Sequence, residues 1–180
     1  MPSARTIVNL VSLSRIAFGL LFVVCFQRHT TLLAISSGIC IAAFATDRLD
    51  GYLARKLNVA SVYGRLWDSL GDKAFYCAAI VAFNGQAFLN PLISWALIVR
   101  EVALYITRIL YIENLPKIEQ NRPLTKLHGY CMCLTIVLGL FRMYAITEHL
   151  PIEVYPYMQG TALASLIFGM GSLIHYLRIR

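Results

Sequence analysis

The stretch DRLDGYLARKLNVASVYGRLWDSLGDK, residues 47–73, contains every aspartate of this 180-residue chain. Asp47 and Asp50 are three residues apart, and Asp68 and Asp72 are four residues apart. Both spacings place the two members of a pair on one face of a helix. Because the connection between the pairs is short, the sequence predicts two antiparallel neighbouring helices on which the pairs can face each other.

The composition on either side of this stretch is that of a membrane protein. Hydrophobic residues make up 58% of the chain and charged residues 14%, whereas a soluble domain is about half apolar and about a quarter charged. Spans of about 20 predominantly apolar residues are transmembrane candidates. We therefore expect an all-α integral membrane protein that forms a single domain over residues 1–180, with transmembrane helices at about 6–26, 32–56, 62–85, 91–112, 127–147 and 155–176.

The distribution of Lys and Arg predicts the orientation of these helices, because cytoplasmic loops carry an excess of basic residues. The basic residues on the predicted cytoplasmic side are Arg5, Arg55, Lys56, Arg65, Lys117, Arg122, Lys126, Arg178 and Arg180. Both termini and the aspartates are then cytoplasmic, and the first 26 residues are expected to stay as a membrane helix. The net charge of +7 fits this asymmetry. No basic helix or aromatic-interleaved basic patch indicates a nucleic-acid partner.

Four clustered carboxylates repel one another unless positive charge lies among them. Divalent cations with oxygen ligands supply that charge, and Mg²⁺ commonly shares its ligands with substrate phosphates. Arg55 can bind a phosphate through two hydrogen bonds of its guanidinium. The small residues Gly51 and Gly64 leave space for a ligand. The sequence thus predicts a phosphate or diphosphate site. The alternatives are solvated acids paired with nearby basic residues, and a divalent-cation carrier, which would place its acids nearer the membrane midplane.

The spacing Asp47-x2-Asp50-Gly51-x2-Ala54-Arg55-x8-Gly64-x3-Asp68-x3-Asp72 resembles the signature of the CDP-alcohol phosphotransferase family. The resemblance implies cleavage of a CDP-linked donor, usually CDP-diacylglycerol, and transfer of its phosphatidyl group to an alcohol with release of CMP. It implies two Mg²⁺ or Mn²⁺ ions per active site. The residues implied as metal ligands are Asp47, Asp50, Asp68 and Asp72, of which Asp72 is also the base.

The resemblance extends to the donor and the acceptor. Asn9-x2-Ser12-x2-Arg15 is similar to the Asn-x2-Thr-x2-Arg element of the family, and the alternative for Asn9 and Ser12 is a helix cap or an interhelical hydrogen bond. Arg15 is alternatively expected to snorkel to the cytoplasmic surface. The residues implied in donor binding are Asn9, Ser12, Gly51, Arg55, Ser61 and Gly64.

Arg100-Glu101, with Arg108 further along, resembles the phosphatidylglycerophosphate synthase branch, whose acceptor is glycerol 3-phosphate. The residues implied in acceptor binding are Arg100, Arg108 and Lys126, and the alternative for Arg100 is a buried structural ion pair with Glu101. His128 stands where that branch has a second lysine. Cardiolipin synthase, with phosphatidylglycerol as acceptor, and inositol-phosphate transferase are therefore retained as alternative activities.

The resemblance also implies a homodimer in the cytoplasmic (inner) membrane. Ser165-x3-Gly169, with Gly171, forms a face of small residues in the sixth span that predicts close helix packing, either in a dimer or within one bundle. Arg142, near the far end of the fifth span, is expected to snorkel or to pair with Glu148.

Overall fold

A computed structural model of the protein describes residues 4–56, 62–111 and 123–178. Within these ranges all regular secondary structure is α-helical, which confirms the predicted all-α class. The helices are α1 (Ala4–Cys25), α2 (Thr30–Lys56), α3 (Val62–Gly85), α4 (Pro91–Leu110), α5 (Pro123–Thr147) and α6 (Tyr155–Arg178). Their bounds lie within a few residues of the six predicted apolar spans.

The turn before α4 shows how local sequence sets a helix boundary. Asn90 is extended, and its side-chain oxygen accepts a hydrogen bond from the backbone N–H of Leu92 at 2.9 Å. Pro91 occupies the first helical position, where its missing N–H removes no helical hydrogen bond. An asparagine cap followed by proline therefore starts α4 abruptly after the turn from α3.

The bundle is organised around α3. Helix α1 packs against α2 and α3, α4 packs against α3 and α6, and α5 pairs with α6. Where α1 and α3 meet, Phe22 contacts the rings of Phe75 and Phe83 edge-on, at centroid distances of 5.8 and 6.2 Å. These three phenylalanines are almost completely buried, so the centre of this interface is a rigid aromatic core.

Gly71 allows α1 to approach α3 closely near the aspartates. A Cβ atom at this position would collide with the carbonyl oxygen of Ser12 on α1. Because that oxygen belongs to the backbone, a larger side chain could be accommodated only if one helix moved. Gly71 therefore fixes the distance between the two helices one residue before Asp72.

Large apolar side chains lie on the outside of this bundle and charged side chains lie inside it, which is the reverse of a soluble bundle. Leu92, Ile41 and Leu20 are 81%, 70% and 66% exposed, whereas Arg100 and Glu101 are buried. Within the described part of the chain, the helices long and apolar enough to cross a membrane cover Thr30–Leu49, Pro123–Thr147 and Tyr155–Arg178, and Leu10–Cys25 is a shorter apolar helix. The composition and the exposed apolar surface are those of helices in contact with lipid.

The face of small residues on α6 packs inside the bundle. Ser165 and Gly169 are buried, and a Cβ atom on Gly169 would lie 2.7 Å from Nε of Arg100 and 3.0 Å from Nδ1 of His128. A Cβ atom on Gly171 would lie 3.2 Å from Leu124. Of the two alternatives, the structure thus shows this face packing within one bundle, where its small residues make room for side chains of α4 and α5.

Candidate active site

Three aspartates converge among the side chains that the structure describes. Asp47 projects from α2, and Asp68 and Asp72 project from α3. One carboxylate oxygen of each lies within 4.8 Å of those of the other two. Their side chains are 42%, 43% and 33% exposed. The aspartates of α2 and α3 therefore meet as predicted, but the two helices pack mainly against α1 and hardly against each other. The converging carboxylates can be reached by an ion or a soluble substrate.

Arg15 of α1 lies among these three carboxylates. Its Nη1 donates to Asp47 at 3.0 Å and also to Asp72, and its Nη2 donates to Asp68. Only about 2% of its side chain is exposed. The alternative expectation that Arg15 snorkels to the surface is wrong, because the aspartates hold the guanidinium inside the bundle. The guanidinium of Arg15, on α1, therefore places one positive charge within the site.

The remaining residues predicted to bind the donor are only partly covered by the structure. Ser61 and the side chains of Asn9 and Arg55 lie outside the described residues, as does the side chain of the predicted metal ligand Asp50. Ser12 is buried in α1 one turn before Arg15, at the close approach to Gly71. Gly64 lies in the first turn of α3. A Cβ atom on Gly51 would have no neighbour within 4 Å, so this glycine borders open space.

The chemistry of the converging oxygens fits a hard divalent cation. Mg²⁺ and Mn²⁺ bind carboxylate oxygens, and each of the three aspartates has one available within the cluster. Three carboxylates with one guanidinium leave two negative charges on this group. A divalent cation would compensate that excess, so Asp47, Asp68 and Asp72 are suited to hold a metal.

A second group of charged side chains is buried beside the aspartates and connects α3, α4 and α5. Nζ of Lys73 lies 2.6 Å from Oε2 of Glu101, and Oε1 of Glu101 lies 2.5 Å from Nη1 of Arg100. Nε2 of His128 lies 2.6 Å from the same Oε1. We call Lys73, Arg100, Glu101 and His128 the buried ion cluster. Lys73 follows Asp72 in the chain, so the cluster is directly connected to the aspartate site.

Helix α6 completes the contacts of the buried ion cluster. Nη2 of Arg100 donates to the hydroxyl of Ser172 at 2.7 Å, and Nδ1 of His128 lies 2.9 Å from the carbonyl oxygen of Ser165. The structure therefore places Arg100 in a buried ion pair with Glu101. This geometry corresponds to the structural alternative that the sequence left open for Arg100.

Arg108 and Lys126, the other two residues predicted to bind the acceptor, occupy different environments. Nη1 of Arg108 donates to the hydroxyl of Ser69 at 2.5 Å, and its guanidinium lies 5.9 Å from the ring centroid of Tyr176. Ser69 follows Asp68 in α3, so Arg108 contacts α3 in the same helical turn as that aspartate. Lys126 is exposed in the first turn of α5.

The sequence did not reveal the partners of Lys73, Arg108 and Arg15. Nothing in the spacing of Lys73 and Glu101 indicates that they meet, because 28 residues separate them. The same holds for Arg108 and Ser69. One signal was available for Arg15, since an arginine in an apolar helix requires a buried counter-ion, and every aspartate lies in one other stretch.

A family of known proteins and several individual proteins are similar to this chain in sequence. A sequence model of the family described as CDP-alcohol phosphatidyltransferase matches residues 5–170. A CDP-diacylglycerol–glycerol-3-phosphate 3-phosphatidyltransferase of Aquifex aeolicus is 32% identical over 110 residues, which cover 59% of this chain and 60% of that protein. The enzyme of the same name from Mycoplasma genitalium is 33% identical over 89 residues, 49% of this chain and 38% of that protein.

A protein that is named for a different product is also similar. A cardiolipin synthase (CMP-forming) of Oryza sativa is 32% identical over 81 residues, 44% of this chain and 25% of that protein. The matched region thus spans 25% to 60% of the length of these three relatives. The family match runs through α1 to α6 and includes all four aspartates, so the chain belongs to the CDP-alcohol phosphatidyltransferase family.

Proposed function

We propose that this protein transfers a phosphatidyl group from CDP-diacylglycerol to glycerol 3-phosphate and releases CMP, as a step of phospholipid synthesis. The observation that carries the proposal is the convergence of the carboxylates of Asp47, Asp68 and Asp72 around Arg15. The names of the Aquifex and Mycoplasma relatives support glycerol 3-phosphate as the acceptor. In this proposal a single domain over residues 1–180 contains the whole site.

The metal ligands in this proposal are Asp47, Asp50, Asp68 and Asp72, with Mg²⁺ or Mn²⁺ as the ions and two ions per active site. When bound, the metal ions would neutralise negative charge on the diphosphate during transfer. The support from the structure is the group of three carboxylate oxygens within 4.8 Å of one another. Asp50 is included because its spacing from Asp47 places it on the same face of α2.

The side chain of Asp72 is proposed as the base. Its carboxylate accepts the proton of the acceptor hydroxyl as the hydroxyl oxygen forms a bond to the phosphatidyl phosphorus. The bond between that phosphorus and the bridging oxygen breaks, and the oxygen leaves with CMP. Arg15 contacts the Asp72 carboxylate, and the close approach of α1 at Gly71 positions the backbone beside Asp72.

The donor is proposed to lie between α1, α2 and α3. Its proposed contacts are Asn9 and Ser12 on α1, Gly51 and Arg55 on α2, Gly64 on α3, and Ser61 in the segment before α3. The open space beside Gly51 supports this placement, since a nucleotide can approach the backbone there. The guanidinium of Arg55 would donate bidentate hydrogen bonds to phosphate oxygens.

The acceptor phosphate is proposed to contact Arg108 and Lys126. Arg108 approaches the aspartates through Ser69, and it has no carboxylate partner among the described residues. Arg100 was predicted for the same role, and its contribution is proposed to be indirect, because its guanidinium is buried and already engaged by Glu101 and Ser172. Cardiolipin synthesis from phosphatidylglycerol is the second candidate, favoured by the similarity to the Oryza protein and by histidine at position 128.

The apolar helices and the family indicate a multi-pass membrane protein. We propose that all six helices cross the cytoplasmic (inner) membrane, with both termini and the aspartates on the cytoplasmic side. The basic loops that predict this orientation support the proposal. A homodimer is also proposed, with its interface on a face other than Ser165–Gly169.

The proposed function is tested by measuring CMP release from CDP-diacylglycerol by the purified protein with Mg²⁺ or Mn²⁺. Glycerol 3-phosphate, phosphatidylglycerol, inositol phosphate, inositol and serine are supplied as separate acceptors. We expect release with glycerol 3-phosphate and its loss in Asp72→Asn, but not in the control Glu148→Gln, which changes an exposed residue. CMP release with phosphatidylglycerol alone would establish cardiolipin synthesis. Absence of CMP release with every acceptor would contradict both activities.

A further inference from the structure

A cavity of about 750 Å³ lies where the end of α1, the start of α2 and the end of α3 meet. Asp47 follows Thr30, the first residue of α2, by 17 positions, so the cavity is about 26 Å from the aspartates along that helix. Gln27, Arg28, His29 and Gln86 are its polar lining residues. This opening, which we call the α1–α3 cavity, is thus at the other end of the bundle from the candidate active site.

The polar side of the α1–α3 cavity carries positive charge. Arg28 is exposed at its edge, and no aspartate or glutamate is found among the described residues that line it. Helix α2 begins two residues after Arg28 without an acidic residue in its first turn. The unpaired N–H groups and the dipole of this helix end add further positive potential at the same place.

The other side of the α1–α3 cavity is apolar and opens on the lipid-facing surface. Val23 and Val81 line it and are 36% and 49% exposed. Leu32 and Phe26 extend the apolar wall inward. A small inorganic anion would leave this wall without a partner, whereas a lipid would cover it with an acyl chain while its phosphate contacts Arg28.

A second arginine, Arg142, lies near the cavity but lines a separate pocket together with Glu153, which balances part of its charge. Phe26, in the wall, contacts the ring of Phe88 at a centroid distance of 5.9 Å. The guanidinium of Arg142 lies between two rings, 4.7 Å from the centroid of Phe88 and 4.6 Å from that of Tyr155. It stacks on aromatic rings where the sequence predicted snorkelling or a pair with Glu148. Nε of Arg142 has no hydrogen-bond partner within the described ranges.

We infer that the α1–α3 cavity binds one anionic phospholipid, with the lipid phosphate at Arg28 and an acyl chain along Val23 and Val81. This site is separate from the proposed donor site, because it lies at the opposite end of the helices. The inference does not depend on the proposed phosphatidyl transfer, since it rests on the cavity, its charge and its apolar wall alone.

Gly85 offers a way to fill the cavity without disturbing the helix. It lines the cavity at the end of α3, and a Cβ atom there would meet no atom within 4 Å. Gly85→Phe therefore places a ring in the space assigned to the lipid. Gly160→Phe is the matched control, because Gly160 is exposed on α6 and a Cβ atom there also has open space.

The test is native mass spectrometry of the full chain in detergent, titrated with phosphatidylglycerol, phosphatidylcholine or inorganic phosphate. EDTA is present, so that no metal-bound phosphate remains at the aspartates. We expect one phosphatidylglycerol to bind more tightly than phosphatidylcholine. Arg28→Gln should weaken that binding about tenfold through loss of a charge-assisted hydrogen bond, and Gly85→Phe should also weaken it. Arg178→Gln and Gly160→Phe should leave it unchanged.

Equal binding of the two lipids would overturn the inference. It would also be overturned if Arg28→Gln had no larger effect than Arg178→Gln, whatever the outcome for Gly85→Phe. Displacement of the bound phosphatidylglycerol by millimolar inorganic phosphate would show that the cavity selects a free anion, which contradicts the assignment to a lipid. None of these results would alter CMP release, so this test and that of the proposed function fail independently.

Discussion

Replacing Glu101 with glutamine removes the only carboxylate of the buried ion cluster among the described residues. Glu101 is completely buried, and its two oxygens contact Lys73, Arg100 and His128. Two cations and one anion leave the cluster with one positive charge in the wild-type protein. The substitution removes the negative charge that balances Lys73 and Arg100, so two positive charges stay buried without a carboxylate among the cluster residues.

The size of the expected loss follows from this geometry. Removing one partner of a buried ion pair costs about 3–5 kcal/mol, because the other charge stays buried without compensation. In a chain of this length, each kcal/mol lowers the melting temperature by about 2–4 °C. We therefore expect Glu101→Gln to melt at least about 6 °C below the wild type.

The assay is equilibrium unfolding in mixed micelles, followed by the fluorescence of Trp67 and Trp95. Glu148→Gln is the control, because Glu148 is exposed and its substitution changes the net charge equally. The double variant Lys73→Met/Glu101→Gln should lose less free energy of unfolding than the sum of the two single variants, since it removes opposite charges together. If Glu101→Gln unfolds within about 1 kcal/mol of the wild type, the account of the buried ion cluster is refuted.

Two further predictions concern α1 and its contact with α3. Gly71→Ala should lower the free energy of unfolding by about 1–3 kcal/mol, because the added methyl group collides with the Ser12 carbonyl. Gly129→Ala has open space and should change it by less than about 1 kcal/mol, and equal effects in the two variants would contradict the close approach. Arg15→Gln should be stabilised by Mn²⁺ more than the wild type, by about 1–3 kcal/mol, because the metal replaces a missing counter-ion. The measurement is the melting temperature with Mn²⁺ and with EDTA, and equal shifts in the two proteins would show that Arg15 does not neutralise the aspartates.

The positions of the helices were predictable because hydrophobic runs and turn residues act locally. The predicted span at 62–85 coincides with α3, and Asn90-Pro91 ends the preceding turn where expected. The convergence of Asp47 with Asp68 and Asp72 was also predictable, since helical spacing and a short connection bring the two pairs together. The family resemblance is confirmed by the match over residues 5–170.

The contacts between distant helices were not predictable from spacing. The approach of Arg15 to the aspartates depends on Gly71 bringing α1 against α3. The burial of Ser165 and Gly169 depends on the side chains of Arg100 and His128, which belong to two other helices. A pattern of small residues predicts a close neighbour but does not identify it, and for this reason the sequence left both a dimer and a single bundle open.

The most direct test of the central claim is the incorporation of radiolabelled glycerol 3-phosphate into lipid by the purified protein with CDP-diacylglycerol. We expect label in the organic phase with Mg²⁺ and none with EDTA. Asp72→Asn should reduce the rate at least about a hundredfold, because it removes the proposed base, and Glu148→Gln should not. Equal incorporation with EDTA, or undiminished incorporation by Asp72→Asn, would contradict the assignment of the aspartates to metal-dependent phosphatidyl transfer.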